Sequence, residues 1–262
     1  MSGLALAARQ FAYERKAFWR NPPAAGFTFA FPLMFLVLFN VIFGGGTTEV
    51  FGREVNRSAF YVPAIISFAL VSACYTNIAM GVTIARDEGI LKRLRGTPLP
   101  TWAYLAGRIA NAVYVALLLV VISIAFGALF YDAGLPAASL PAFSITLMVS
   151  AATYCALGLA LSGAIPTADA APAIVNLTVL PLLFISDVFL PPELGPPWLR
   201  TVANLFPIKH STEALIAAFV DPGARLDATD LAVVVAWGVA GALLALRTFR
   251  WEPSMGGRRR TR

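Results

Sequence analysis

Charge is what this sequence has least of. Only 13% of its 262 residues are Asp, Glu, Lys or Arg, where a soluble domain usually carries about 25%. The mean hydropathy is +0.74. A soluble fold of this size could not hide so many long apolar runs, which excludes an ordinary globular enzyme first. Histidine is nearly absent: His210 stands alone, beside Lys209 and Glu213, and reads as an interface residue. The two cysteines, Cys74 and Cys155, fall inside apolar runs and read as small buried hydrophobes, with neither a disulfide framework nor a zinc spacing. No His/Cys/carboxylate grouping has metal-ligand spacing and no G-x-S-x-G elbow occurs, so neither a metal site nor a catalytic residue is expected. No Gly-Lys dipeptide occurs either, which removes the nucleotide-binding P-loop. The net charge of +6 is not a nucleic-acid footprint, because the bases flank apolar runs and do not cover a soluble face. The chain's start lacks the pattern of a cleavable signal peptide, since a charged segment of about 20 residues precedes the first long apolar run.

What is there in abundance is apolar sequence long enough to cross a bilayer, whose ~30 Å core needs about 20 residues of helix. The expected fold is an all-α membrane protein with six transmembrane helices. Residues 1–23 form an N-terminal interfacial helix: Leu4, Phe11, Phe18 and Trp19 recur at helical spacing, with Arg9, Gln10, Glu14, Lys16 and Arg20 mostly between them. Residues 24–249 form the transmembrane domain. Its spans are Ala24–Phe43 (kinked at Pro32 and closed by Gly44-Gly45-Gly46), Phe60–Ile84, Trp102–Leu129, Ala142–Ile165, Pro172–Ile185 and Leu231–Leu246. Thr47–Ala59 reads as a short connection, and Arg108 is placed to snorkel to the interface. The nineteen phenylalanines read as lipid-facing. Asp187–Asp230 is rich in proline but contains two short helices, WLRTVANLF and STEALIAAFV, read as re-entrant with a surface loop as the alternative. Residues 250–262 are a basic tail.

Six spans put both termini on one side. That side receives fifteen of the twenty Lys and Arg residues, which makes it cytoplasmic and Asp187–Asp230 external. The cytoplasmic side also receives the densest charged island of the chain. Between Ile84 and Pro100, the residues Arg86, Asp87, Glu88, Lys92, Arg93 and Arg95 crowd ten positions. The pattern predicts one short helix over Arg86–Arg95, a rod of about 15 Å. Asp87 and Glu88 stand at its start and the bases at its end, with a Glu88–Lys92 pair, Gly96 as the residue closing the helix and Pro98 beyond it. Ile90, Leu91 and Leu94 line it with an apolar strip. A capped helix joined to two spans can pass movement from a partner into the membrane; a solvated loop would carry the charges without the strip.

The spans themselves hold almost no charge, which disfavours proton-coupled transport, although unwound backbone could still bind sodium. Uncharged polar residues at depth (Asn40, Tyr75, Thr76, Asn77, Asn176, Thr178 and Ser186) are candidates for a substrate pathway, and equally for hydrogen bonds between helices.

At the island the sequence resembles the permease subunits of ABC-2 type exporters. Arg86-Asp87-Glu88-Gly89, Leu91, Arg93-Leu94 and Thr97-Pro98 are similar to that family's motif after its second span; Ile90 stands where the family usually has Thr. Phe206-Pro207-Ile208 and Glu213-Ala214-Leu215 resemble its outer segment. The resemblance implies a homo- or heterodimer of permeases in a bacterial plasma membrane. It implies a separate ABC ATPase subunit that carries ATP and Mg, with no cofactor bound by this chain. Residues Arg86 to Leu94 with Thr97 and Pro98 would be the coupling helix, and the N-terminal helix with Phe11, Arg15, Phe18 and Trp19 would lie near the ATPase. The short first connection matches the compact branch, which includes drug, antibiotic, lipid and carbohydrate exporters. An ATPase-independent channel or ion-coupled carrier is the alternative, and a lipid enzyme ranks last.

Overall fold

The computed structural model describes residues 2–43, 46–50, 53–137, 139–189, 197–221, 223 and 226–249. The basic tail, Gly44-Gly45, Arg225 and the prolines 191, 192 and 196 lie outside the described residues. The element order is α1 (Gly3–Trp19), α2 (Pro22–Phe43), β1 (Thr47–Val50), β2 (Arg53–Asn56), α3 (Arg57–Leu70), a π-helical stretch (Val71–Thr76), α4 (Asn77–Asp87), α5 (Ile90–Arg95), α6 (Thr101–Tyr131), α7 (Leu140–Ala164), α8 (Ala171–Ile185), α9 (Pro197–Ala203), α10 (Pro207–Val220) and α11 (Ala228–Thr248).

Among the described residues five helices are long and apolar enough to cross a membrane: α2, the continuous helix Arg57–Asp87, α6, α7 and α11. The sixth expected span, α8, has 15 residues. At 1.5 Å per residue that is about 22 Å, short of the ~30 Å hydrocarbon core. Beyond it, Ser186, Asp187, Val188 and Phe189 continue without helix but buried, the circumstance in which irregular backbone is tolerated at depth.

Arg57–Asp87 is the axis of the bundle. Two-thirds of its most apolar window is buried inside the protein, against 17–50% for the other four spans. It begins on the Asn56 side chain, which accepts from the Ser58 amide at 3.0 Å, a helix N-cap. The segment before it is a four-residue antiparallel hairpin, pairing Thr47 with Asn56 and Val50 with Arg53. The connection read as a plain loop is therefore two strands, and the second span starts at Arg57, three residues before the sequence reading. Arg57 Nη1 donates to the Phe43 carbonyl at 2.8 Å and so closes α2.

The phenylalanines of α2 correct a second expectation. Phe31, Phe35, Phe39 and Phe43 stand one turn apart and turn inward, onto Phe68 and Tyr61 of α3. Phe189 closes the group, with its ring 5.3 Å from Phe35 and 5.5 Å from Phe68. Edge and offset ring contacts add to the area these side chains bury. Phe27, Met34, Val41 and Ile42 of the same helix stay exposed. Small residues bring other helices close. A Cβ on Gly158 would lie 2.6 Å from the Tyr75 carbonyl, and one on Gly241 3.0 Å from the Leu157 amide, so only glycine admits α7 to the π stretch and α11 to α7.

The α10 helix sits inside the bundle, with Pro207 to Thr212, Leu215, Ile216, Ala218 and Phe219 buried. Its polar side chains reach three neighbours. Thr212 meets Ser67 of α3 at 2.7 Å, Ser211 meets Tyr154 of α7, and His210 meets Asp230 of α11 at 2.7 Å. The second nitrogen of His210 faces the Asn204 carbonyl at 2.9 Å. Two acceptors facing the two ring nitrogens favour the protonated form of the imidazole. Burial pulls its pKa down, but the bonds to Asp230 and Asn204 outweigh burial and hold it above 6.5. Stability from this pair is complete below the unfolded pKa and is lost as pH rises through the higher folded one. We expect the thermal midpoint of the detergent-purified protein to fall between pH 6.5 and 9, and Asp230→Asn to flatten that slope; an unchanged slope in the variant refutes the pairing.

Candidate functional site

The corner between α4 and α5 is made by one glycine. Gly89 has φ 73° and follows Glu88, whose amide still bonds to Ile84 at 2.9 Å. A left-handed residue at this place terminates α4 and lets the chain start a new helix, and glycine adopts it without a Cβ penalty. The island is thus not one helix from Arg86. Arg86 and Asp87 complete the last turn of α4, Glu88 caps it, and α5 begins only at Ile90. The rod is six residues, about 9 Å. Asp87 and Glu88 do not sit at the N-terminus of α5, so the dipole argument and the Glu88–Lys92 pairing on one helix do not apply. Gly96 has φ −81°, right-handed, so the helix-closing glycine is Gly89, ahead of α5, and not Gly96 behind it. The end of α5 is held instead by Thr97, whose amide and hydroxyl both donate to Leu94 O at 2.9 and 2.6 Å. Pro98 and Pro100 then lead into α6.

The apolar strip is divided. Leu91 is fully buried in the main core and Leu94 is half-buried, while Ile90 is exposed with Lys92, Arg93 and Arg95. Arg93 Nη2 donates to the Glu88 carbonyl at 3.1 Å, bracing the corner. One face of α5 is therefore anchored and the other is an exposed basic face with one apolar contact.

Arg86 turns away from that face. It is only 3% exposed. Nη1 donates to Ser162 O at 2.7 Å and Nη2 to Ile165 O, at the C-terminal end of α7. Asp87 accepts from the Ala168 amide at 2.9 Å, just before α8.

The α1 helix joins the same end of the bundle. Gly107 of α6 lies against it so closely that a Cβ would sit 2.8 Å from the Phe11 amide. Phe11 packs edge-on to Tyr114 at 6.0 Å, and Arg15 lies over the Phe11 ring. Phe18 and Trp19 pack on Phe29 of α2. Arg108 was expected to snorkel to water; it pairs instead with Glu14 at 3.6 Å, donates to the Tyr104 hydroxyl, and lies over Gly81 of α4. The salt bridge ties α1 to α6, with α4 beneath.

The polar residues at depth do not form one lining. Asn40 is consumed locally: it donates to Leu36 O at 2.8 Å and accepts from Ser58 at 2.6 Å. Asn176 is exposed on α8, Thr76 and Asn77 are half-buried at the end of the π stretch, and Ser186 is buried at the end of α8. Tyr75 and Thr178 do come together, at 3.0 Å. Both line a cavity of about 130 Å³ with Val71, Tyr154, Leu182 and Trp237. The π stretch, read as plain α-helix in sequence, directs Tyr75 there; such bulges often mark functional positions.

A grouping the sequence did not reveal lies at the opposite end. His210, Glu213 and Asp230 have ligand atoms within 4.8 Å of one another, because α10 folds back on α11 across twenty positions. Such a set could coordinate a divalent cation. Its members already have partners in the protein: His210 bonds to Asp230, and Lys209 lies 3.3 Å from Glu213 and 3.4 Å from Asp187.

The comparisons with known proteins agree with this geometry. A Porphyra purpurea protein named as a transport permease, ycf38, is 26% identical over 88% of this chain and 79% of its own length. An Escherichia coli K12 protein, the inner membrane transport permease YadH, is 23% identical over 79% of each chain. Another from that strain, named as a multidrug ABC transporter permease, YbhR, is 26% identical over 62% of this chain and 44% of its own. The sequence pattern of the ABC-2 type transporter family matches residues 4–220, from α1 through α10. The chain is a multi-pass membrane transport permease and belongs to the ABC-2 type transporter family.

Proposed function

We propose that this chain is the membrane subunit of an ATP-driven exporter in a bacterial plasma membrane. It works as a homo- or heterodimer, with a separate ABC ATPase subunit holding ATP and Mg. The observation that carries the reading is α5: a short helix anchored by Leu91 on one face and presenting Ile90, Lys92, Arg93 and Arg95 on the other. A partner that moves this face moves a rigid corner, since Gly89, Arg93 and Thr97 fix both ends of the helix. The bundle is also polarised in charge. The α5 end gathers Lys92, Arg93, Arg95 and Arg108 with the bases of α1. The far end gathers Glu213, Asp221, Asp227 and Asp230 around a pocket of about 510 Å³. The basic end then faces the cytoplasm, with both termini, by the positive-inside bias. This completes six crossings with α8 and makes α9 and α10 the outer re-entrant helices.

The cargo class follows from the interior. The cavity beside Tyr75 and Thr178 is lined mostly by apolar groups, which suits an amphiphilic or hydrophobic compound, drug-like or lipid-linked. Two hydroxyls facing an apolar wall offer hydrogen bonding without charge.

We expect the combined variant Lys92→Glu, Arg93→Glu, Arg95→Glu to insert normally but to pull down its co-expressed ABC ATPase at least tenfold less well, since charge reversal at a docking surface acts mainly on association. Wild-type recovery of the ATPase with this variant would sink the docking role. Leu182→Trp, which fills the Tyr75–Thr178 cavity, should keep ATPase association yet reduce efflux of an amphiphilic dye from vesicles about tenfold. Undiminished efflux would exclude this cavity from the path.

A further inference from the structure

The Arg-Asp pair opening the island does something the docking reading does not explain. Helix ends leave backbone groups unpaired, carbonyls at the C-terminus and amides at the N-terminus. The link from α7 to α8 exposes both kinds within residues 162–170. Arg86 offers donors and a positive charge; Asp87 offers acceptors and a negative one. The guanidinium fork meets the Ser162 and Ile165 carbonyls, where the dipole of α7 is negative. The carboxylate meets the Ala168 amide on the approach to α8. Two adjacent residues at the end of α4 thus hold both sides of one turn.

The helix beyond that turn returns to the same axis. Thr178 of α8 meets Tyr75 of the π stretch, eleven residues before Arg86 and therefore about 16 Å along the same helix. The α8 helix and the turn that leads into it are each pinned to the helix that ends in the α5 corner.

We propose that Arg86 and Asp87 are positioning residues that fasten the α5 corner to the α7–α8 turn, so that movement of α5 enters the membrane domain through α8. The proposal deepens the coupling role proposed for α5 and rests on that reading for its purpose. It removes Arg86 from the surface a partner touches and assigns it, with Asp87, to transmission.

The test is amide hydrogen exchange on the full chain alone, in nanodiscs of phosphatidylethanolamine and phosphatidylglycerol. Arg86→Gln should raise exchange at residues 166–174 about tenfold and leave 90–95 unchanged. Asp87→Ala, a change at an exposed site that removes the acceptor, should do the same at Ala168, and Arg86→Lys should fall between. Leu91→Ala, which loosens α5, should raise exchange at the start of α8 when Arg86 is present and add nothing there in the Arg86→Gln background. A purely structural Arg86 would give additive effects. Unchanged exchange at 166–174 in both Arg86→Gln and Asp87→Ala, or an effect of Leu91→Ala on α8 that persists without Arg86, overturns the proposal. No ATPase is present, so a failure of the docking reading, measured by pull-down, is seen separately.

Discussion

A backbone polar group inside a bilayer has no water to turn to, and the helix Arg57–Asp87 meets that constraint for the whole molecule. Along it the backbone groups bond within the helix or in the wider π turn at Val71–Thr76, apart from the bond that Pro63 cannot donate. Other segments can therefore depart from regular structure only where they lean on it. The non-helical stretch Ser186–Phe189 is buried, with Phe189 against Phe68. The α10 helix, too short to span, hydrogen-bonds to Ser67. The α7–α8 turn lies on Arg86. Unpaired groups at depth cost several kcal/mol each, so these contacts decide which irregular shapes are allowed.

That dependence explains what could be read from sequence. Long apolar runs separated by charge located five spans to within a few residues, because length and hydropathy are local properties. The apolar composition of α2 was equally plain, but its phenylalanines were assigned to lipid. Composition does not say which side of a helix meets protein, and only the packing on Phe68 and Tyr61 does. The hairpin at 47–56 has four residues per strand, too few for alternation to stand out. The π turn leaves no mark in periodicity at all.

The charged residues were the least legible, for a physical reason. In Arg86-Asp87-Glu88-Gly89 the spacing suits a helix start as well as a helix end. Which it is depends on Gly89 adopting a left-handed φ, which the sequence permits and does not require. Once Gly89 turns the chain, Arg86 and Asp87 belong to α4 and face inward or sideways, and only Lys92, Arg93 and Arg95 remain on the outer face. Arg108 shows the same limit: a snorkelling arginine and one paired with Glu14 on a separate helix look identical in a linear sequence. Likewise the His210–Asp230 bridge joins residues whose proximity is created only when α10 folds back on α11.

The placement of charge also bears on how so small an element as α5 could work. A six-residue helix stores little energy of its own, and its three bases are exposed and screened. Its leverage comes from what it is joined to. On one side Leu91 sits in the main core and on the other Pro98 and Pro100 run directly into α6, while Gly89 leaves no slack before α4. Displacing α5 without moving α4 would strain the Gly89 corner and draw Leu91 out of a close-packed site. Moving α4 in turn carries Arg86 and Asp87, and their partners are backbone groups, which cannot change rotamer to absorb the shift. Compliance must appear where the helix is least regular, and that is the π stretch at Tyr75, beside the Thr178 cavity. A rigid corner, a backbone clamp and a soft turn in series would bring displacement to the cavity that α8 and the axis both line.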